Sequence, residues 1–269
     1  MPIFNYKDLG INYLKRGKGE PLLMFQGLGQ SIGSWTFQIP FFKRRMMVIA
    51  LDNRGIGESS RPNYPYTMDM FIEETSALLD YLEIENPLHV MGISMGGMIA
   101  QQFALKYPER VKTIVLLATA AHLNPQSLID EYRHFKEDLT LEEAFKERLK
   151  LMFSKDFIKK VELDESLAET LKNKLLLENP PRMQDYINRG AAIAEHDTRD
   201  SLHKITQPTL ILTGSEDKII PFKESELLHE KIPNSRLEIV EGYGHGSLLI
   251  EDFEKINNII WNFIQENIE

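Results

Sequence analysis

A serine framed by glycines, Gly92-Ile93-Ser94-Met95-Gly96-Gly97, separates an apolar run, Leu88 to Met91, from an alanine- and glutamine-containing run, Met95 to Tyr107. The first run reads as a buried strand and the second as a helix. A serine wedged between the two, with glycine two positions away on each side, has the G-x-S-x-G pattern of a strand-to-helix elbow. So sharp a reversal forces the serine towards positive φ, where an L-residue is strained. Side chains at the flanking positions would strike neighbouring elements, so glycine fits there. The expected result lifts the hydroxyl of Ser94 clear of the sheet and aims the first N–H groups of the helix at the same spot. Few folds accommodate such a turn, because it needs a sheet with a helix packed directly on it.

The surrounding chain supplies that setting. Residues 2–16 alternate apolar and polar around Lys7-Asp8-Leu9-Gly10, which predicts a β-hairpin. Leu22 to Phe25 is a short apolar run ending in Gln26-Gly27-Leu28-Gly29, and Met46 to Leu51 is another ending in Asp52-Asn53-Arg54-Gly55-Ile56-Gly57-Glu58-Ser59. Thr67 caps a predicted helix from Met68 to about Leu82, and Val111 to Leu117 is again continuously apolar. Strands apolar throughout, alternating with helices, predict an α/β fold with a mostly parallel sheet covered on both faces. The rhythm stops at His122. Up to about Lys204 the pattern is helical only, with a capping box at Thr140-Leu141-Glu142-Glu143 and a break at Asn179-Pro180-Pro181 before a helix from Met183 to Ala194. Residues 122–204 are therefore expected to form a helical insertion in a core made of 1–121 and 205–269, too long for a loop and too small to fold alone. The sheet pattern resumes at Pro208 to Thr213, with a helix near Lys223 to Lys231, a strand at Arg236 to Val240 and an amphipathic helix at about Phe253 to Gln265.

Composition removes several alternatives. A chain of 269 residues with 42% hydrophobic residues buries a substantial core unaided. The absence of cysteine excludes disulfides, thiolate zinc sites and cysteine nucleophiles. A formal charge of −9 argues against nucleic acid and anionic membranes as partners. No apolar run has the length to span a bilayer and the first residues lack a signal pattern, so the expectation is a cytoplasmic protein.

A serine hydroxyl needs a base, and the candidate is His245 in Gly242-Tyr243-Gly244-His245-Gly246, just after the strand ending at Val240. Open α/β folds place their sites at that edge of the sheet. His122 and His196, which flank the insertion, read as structural. The base needs an anion to fix its tautomer. Gly214-Ser215-Glu216-Asp217 follows the preceding strand, with Asp217 the preferred carboxylate and Glu216 the alternative. The order serine, acid, histidine is the one the elbow fold requires. An oxyanion would need two donors, expected from the N–H of Met95 and the N–H of Leu28 in the glycine loop. That loop, with Asp52 downstream, imitates a dinucleotide fingerprint. The imitation fails because Gly33 falls at the wrong spacing and Pro40 interrupts the receiving helix. Asp52, Arg54, Gly55, Gly57 and Ser59 instead read as a loop ordered by hydrogen bonds and an ion pair. No metal-ligand spacing occurs, so neither metal nor cofactor is expected.

With the elbow, Gly214-x-x-Asp217-x-x-x-Pro221, Gly-x-Gly-His245 and D-x-R-G-x-G-x-S at Asp52 to Ser59 in place, the chain resembles the α/β-hydrolase superfamily over nearly its whole length. It looks most like the esterase and 3-oxoadipate enol-lactonase-like branch, whose cofactor-free members cleave carboxylic esters or lactones. The resemblance implies Ser94 as nucleophile, Asp217 as acid, His245 as base and a helical lid. Relatives that are haloalkane dehalogenases or epoxide hydrolases carry aspartate where this chain has Ser94. One departure is Gln26-Gly27 where relatives usually have His-Gly, which alters polarity beside the pocket and spares the backbone donor. Gln26, Trp35 and the Met95 side chain are expected pocket-wall residues, with ordinary packing the alternative for Trp35. The expected substrate is a small apolar ester or lactone, handled by a monomer or homodimer. Carbon–carbon bond hydrolysis and perhydrolysis remain open on the same residues, as does a non-catalytic receptor for small molecules.

Overall fold

Alternation along the strands sorts the core into two layers. The computed structural model describes residues 1–177 and 180–268, so Asn179 of the expected helix break lies outside the described residues. Among the described residues the strands form one eight-stranded sheet. They are β1 (Ile3–Tyr6), β2 (Leu9–Arg16), β3 (Pro21–Phe25), β4 (Met47–Leu51), β5 (Leu88–Ile93), β6 (Val111–Leu117), β7 (Thr209–Gly214) and β8 (Ser235–Val240). Their spatial order is β1-β2-β4-β3-β5-β6-β7-β8. β1 and β2 pair antiparallel, β2 joins β4 antiparallel, and every later pairing is parallel.

Leu22, Met24, Val48, Ala50, Met91, Ile93, Val115 and Leu117 point to one face. There they meet Phe42 of α1 (Gln38–Phe42) and, from the C-terminal end, Ile256, Ile260, Phe263 and Ile264. Their alternates Leu23, Phe25, Ile49, Leu51, Val90, Ile114 and Leu116 point the other way, onto Phe71 and Leu78 of α2 (Met68–Tyr81) and Met98 and Phe103 of α3 (Met95–Lys106). Covered on both faces, β5 and β7 are buried at every position, and the one histidine among them, His89, is met by Thr113 and Glu20 at 2.7 Å each.

Between β6 and β7 lie α4 (Gln126–Glu137), α5 (Leu141–Met152), α6 (Lys155–Leu163), α7 (Glu165–Lys172) and α8 (Met183–Glu195). Thr140, Ser154 and Asp164 each accept a backbone N–H at the start of a helix, and Thr140 with Glu143 completes the capping box. The segment has two attachments. Ile129 and Tyr132 of α4 and Tyr186 and Ile193 of α8 join the main core, whereas Phe145, Leu149, Phe157, Val161 and Leu171 build a small core of their own. Where the chain leaves and rejoins the sheet, His122 bridges Asp197 and the Thr198 N–H donates to the Ala121 carbonyl at 2.9 Å. After β7 come α9 (Phe222–Lys231), α10 (Ser247–Ile250) and α11 (Phe253–Gln265), the last presenting isoleucine and phenylalanine at helical spacing to the sheet.

Candidate active site

Ser94 has φ 55° and ψ −123°, in the left-handed half of backbone space that a serine avoids. Strain of that kind amounts to about 1–3 kcal/mol and persists only where the surroundings over-determine it. Here the Ser94 N–H donates to the Leu117 carbonyl at 2.9 Å, and the Thr119 hydroxyl donates to the Ser94 carbonyl at 2.7 Å. A Cβ on Gly92 would strike the carbonyl of Gly96, and one on Gly96 would strike that of Phe25. At Gly97 a Cβ would come within 2.6 Å of the Thr119 side chain. The glycines thus permit the contacts that force the elbow.

His245 sits beyond β8 in a loop that turns at Gly242, φ 79°. Its Nδ1 lies 2.7 Å from Asp217 Oδ2. Asp217 Oδ1 accepts the N–H groups of Ile219 and Ile220, both at 2.8 Å, so one oxygen anchors the carboxylate to its own loop and the other meets the imidazole. Of the two carboxylates expected here, Asp217 is buried at this contact and Glu216 is exposed. The end of α5 closes over both loops. The Gly246 N–H donates to the Met152 carbonyl at 2.8 Å, and Lys218 Nζ donates to the Lys150 carbonyl at 2.7 Å.

Ser94 and His245 line one small cavity of about 50 Å³ together with Gly27, Leu28, Tyr132 and Tyr186. Among the described residues the Ser94 hydroxyl has no hydrogen-bond partner, and the N–H groups of Leu28 and Met95 have no acceptor. Leu28 lines the same small cavity as Ser94, and the Met95 N–H opens the 12-residue α3, whose dipole favours negative charge there. His245, Tyr132, Met152, Arg148 and Tyr186 also border a larger cavity of about 360 Å³, whose wall includes Leu139, Leu175, Leu176 and Leu249 as well as Lys136 and Lys174.

Three pocket-wall expectations need correction. Trp35 is fully buried in the core layer that also holds Leu22 and Met24 and lines neither cavity, so ordinary packing is its place. Gln26 is also fully buried and lines neither, because its Nε2 donates to the Leu51 carbonyl at 2.7 Å. The Met95 side chain lies in the core rather than on the cavity wall. The Asp52 loop is ordered as expected. Asp52 accepts from Asn12 Nδ2 at 2.7 Å, Ile32 N–H at 2.7 Å and Glu58 N–H at 3.1 Å, while Arg54 pairs with Glu74 at 2.6 Å.

Sequence reasoning missed the groups that the insertion brings in. Tyr132 and Tyr186 stack at 4.1 Å between ring centres and border both cavities. Glu131 and Arg148 face the small cavity, where burial raises the Glu131 carboxyl above its ordinary range and the Arg148 charge opposes the rise. Arg189 is wholly buried. Its spacing from Tyr186 and Ile193, three and four residues along α8, marks it as facing inward. Among the described residues no group of three or more histidine, aspartate or glutamate side chains could hold a metal ion.

The alpha/beta hydrolase fold family matches residues 20–252, most of the chain. The chain belongs to that family. This hydrolase is 30% identical over 249 residues to 3-oxoadipate enol-lactonase 2 of Acinetobacter baylyi, covering 90% of this chain and 91% of the relative. It is 33% identical over 257 residues to a poly(3-hydroxyalkanoate) depolymerase of Ectopseudomonas oleovorans, covering 91% of this chain and 84% of that one. Among solved structures, a hydrolase from Pseudomonas aeruginosa PA01 superposes with a TM-score of 0.83 at 26% identity, covering 98% of this hydrolase and 97% of that chain.

Proposed function

We propose that this hydrolase cleaves carboxylic ester or lactone bonds through an acyl-enzyme, with Ser94 as nucleophile, His245 as base and Asp217 as the anion that orients it. The observation that carries the reading is the 2.7 Å contact from Asp217 to His245 Nδ1, made beside the cavity that the strained Ser94 also lines. With Nδ1 committed to the carboxylate, Nε2 is the nitrogen left to take the serine proton. The hydrogen bond from the Ser94 hydroxyl to His245 Nε2, not made without substrate, forms as substrate seats.

Ser94 Oγ attacks the substrate carbonyl while His245 takes its proton. The N–H groups of Leu28 and Met95 receive the oxyanion, a stabilisation that grows as the charge develops. The imidazolium protonates the leaving alkoxide, which departs. The neutral imidazole then takes a proton from water, whose oxygen attacks the acyl-enzyme, and returns it to Ser94 as the acid leaves. Helices α4 to α8 act as the lid over this chemistry, and the leucine-lined part of the larger cavity suits an apolar acyl or alcohol group of modest size. The relatives named as a lactonase and a polyester depolymerase support an acyl-oxygen bond as the one broken.

Ser94→Ala tests the reading. It should abolish hydrolysis of short aryl esters and labelling by a fluorophosphonate. Turnover retained by that variant would remove Ser94 as nucleophile. Cleavage of a β-diketone in place of esters and lactones by the unaltered enzyme would reassign the bond broken.

A further inference from the structure

The catalytic scheme leaves one buried cation without a task. Arg189 of α8 has no solvent exposure, and no carboxylate lies within ion-pairing distance of it among the described residues. Its Nε has no partner, and its guanidinium lies 5.7 Å from the centre of the Phe71 ring. Burial pushes its pKa down to about 10, which still leaves it protonated at neutral pH. Holding an arginine in the interior without a contacting anion costs several kcal/mol, and an apolar side chain of the same volume would fill the space without that loss.

What the guanidinium touches gives it a role. Nη2 donates to the Gly27 carbonyl at 3.2 Å and lies 3.8 Å from Met95 Sδ, while Nη1 reaches the Arg54 carbonyl at 3.4 Å. The Gly27 carbonyl and the Leu28 N–H belong to one planar peptide unit. Gripping the oxygen sets the direction of the N–H on its far side. It also draws electron density towards the oxygen, which strengthens the N–H as a donor. Through Met95 the same guanidinium sits against the residue that supplies the second donor.

We propose that Arg189 is the positioning residue of the oxyanion hole. It holds the Gly27–Leu28 peptide with its N–H presented to the reacting carbonyl and places one buried positive charge behind that donor. The inference rests on the serine-hydrolase reading above. It also gives the insertion a part in the chemistry, because α8 brings the arginine. A neutral bound ester gains little from that charge. The negatively charged tetrahedral adduct gains much more, so the effect belongs to kcat rather than KM.

Arg189→Met and Arg189→Lys test this in the full-length enzyme, using a p-nitrophenyl ester and an alkyl boronic acid that forms a tetrahedral adduct on serine. For Arg189→Met, kcat should fall about 10- to 100-fold with KM within about twofold, and boronate affinity should weaken by a similar factor. The thermal midpoint should not fall, because methionine replaces a desolvated charge and the Gly27 carbonyl still accepts the Gln30 N–H at 3.2 Å. Arg189→Lys retains the cation without the fork. It should recover part of the lost kcat and part of the boronate affinity, and if the methionine variant does not fold, it should show the same kcat-selective loss by itself. A folded variant with unchanged kcat and boronate affinity overturns the inference, as does a loss carried wholly by KM. If the unaltered enzyme takes no fluorophosphonate at Ser94, the serine-hydrolase reading fails and this inference fails with it. If it labels and the Arg189 variants leave kcat intact, only the inference falls.

Discussion

Replacing the Asp217 carboxylate by an amide separates its two contacts. In Asp217→Asn the side-chain oxygen can still accept from Ile219 and Ile220, now 2.8 Å from Oδ1, so the loop should keep its shape. The amide N–H₂ would then face His245 Nδ1 and impose the opposite tautomer, with the proton on Nε2. Ester turnover should drop by about 10³- to 10⁴-fold with little change in thermal midpoint. A steady-state assay beside a melting curve checks it, and near-normal turnover would remove Asp217 from the scheme.

Among the elements, the end of α5 has the narrowest tolerance. A Cβ on Gly244 would approach the Met152 carbonyl to 2.6 Å and the Phe153 nitrogen to 3.2 Å, and backbone atoms cannot rotate away. Gly244→Ala should therefore push the histidine loop away from α5. We expect a stability loss of about 1–3 kcal/mol by denaturant titration and a larger fractional loss of ester turnover. Unchanged values in both would mean that the loop and α5 move apart freely. The insertion is not a uniform cap. Its α4 and α8 join the main core, while α5, α6 and α7 pack mainly on one another. Helix α8 is held to the core by the Tyr66 N–H donating to the Asn188 carbonyl at 2.9 Å and by Tyr186 and Ile193 in the main apolar cluster.

For the whole molecule, the neck between sheet and insertion sets a limit at acid pH. His196 is fully buried, and desolvation lowers its pKa from 6.5 to about 4. Above pH 6.5 the ring is neutral both folded and unfolded, so stability is at its full value. Below that the unfolded chain binds a proton that the folded chain refuses until about pH 4, so stability falls as pH falls through this window. The contribution between pH 7 and pH 5 is about 2 kcal/mol. Denaturant titrations at the two pH values should show a smaller difference in His196→Gln than in the unaltered protein. His89 is also lowered by burial, with its Glu20 partner opposing the shift, so some acid sensitivity should remain in the variant. An equal pH dependence in both proteins would refute the assignment to His196. The amino-acid pattern by itself determined the sheet, its apolar strands and the elbow, because strand burial and a strained strand-to-helix turn each follow from short-range chemistry. It also placed Ser94, Asp217 and His245 after their own strands, since a parallel sheet brings such loops to one edge. Only the tertiary structure decided which side chains surround them. Trp35 and Gln26 went to the core, while Tyr132, Arg148 and Arg189 came in from helices far along the chain. The reason is that a helical stripe shows which residues face inward and carries no record of what they meet, which depends on how α4 to α8 cross the sheet's edge.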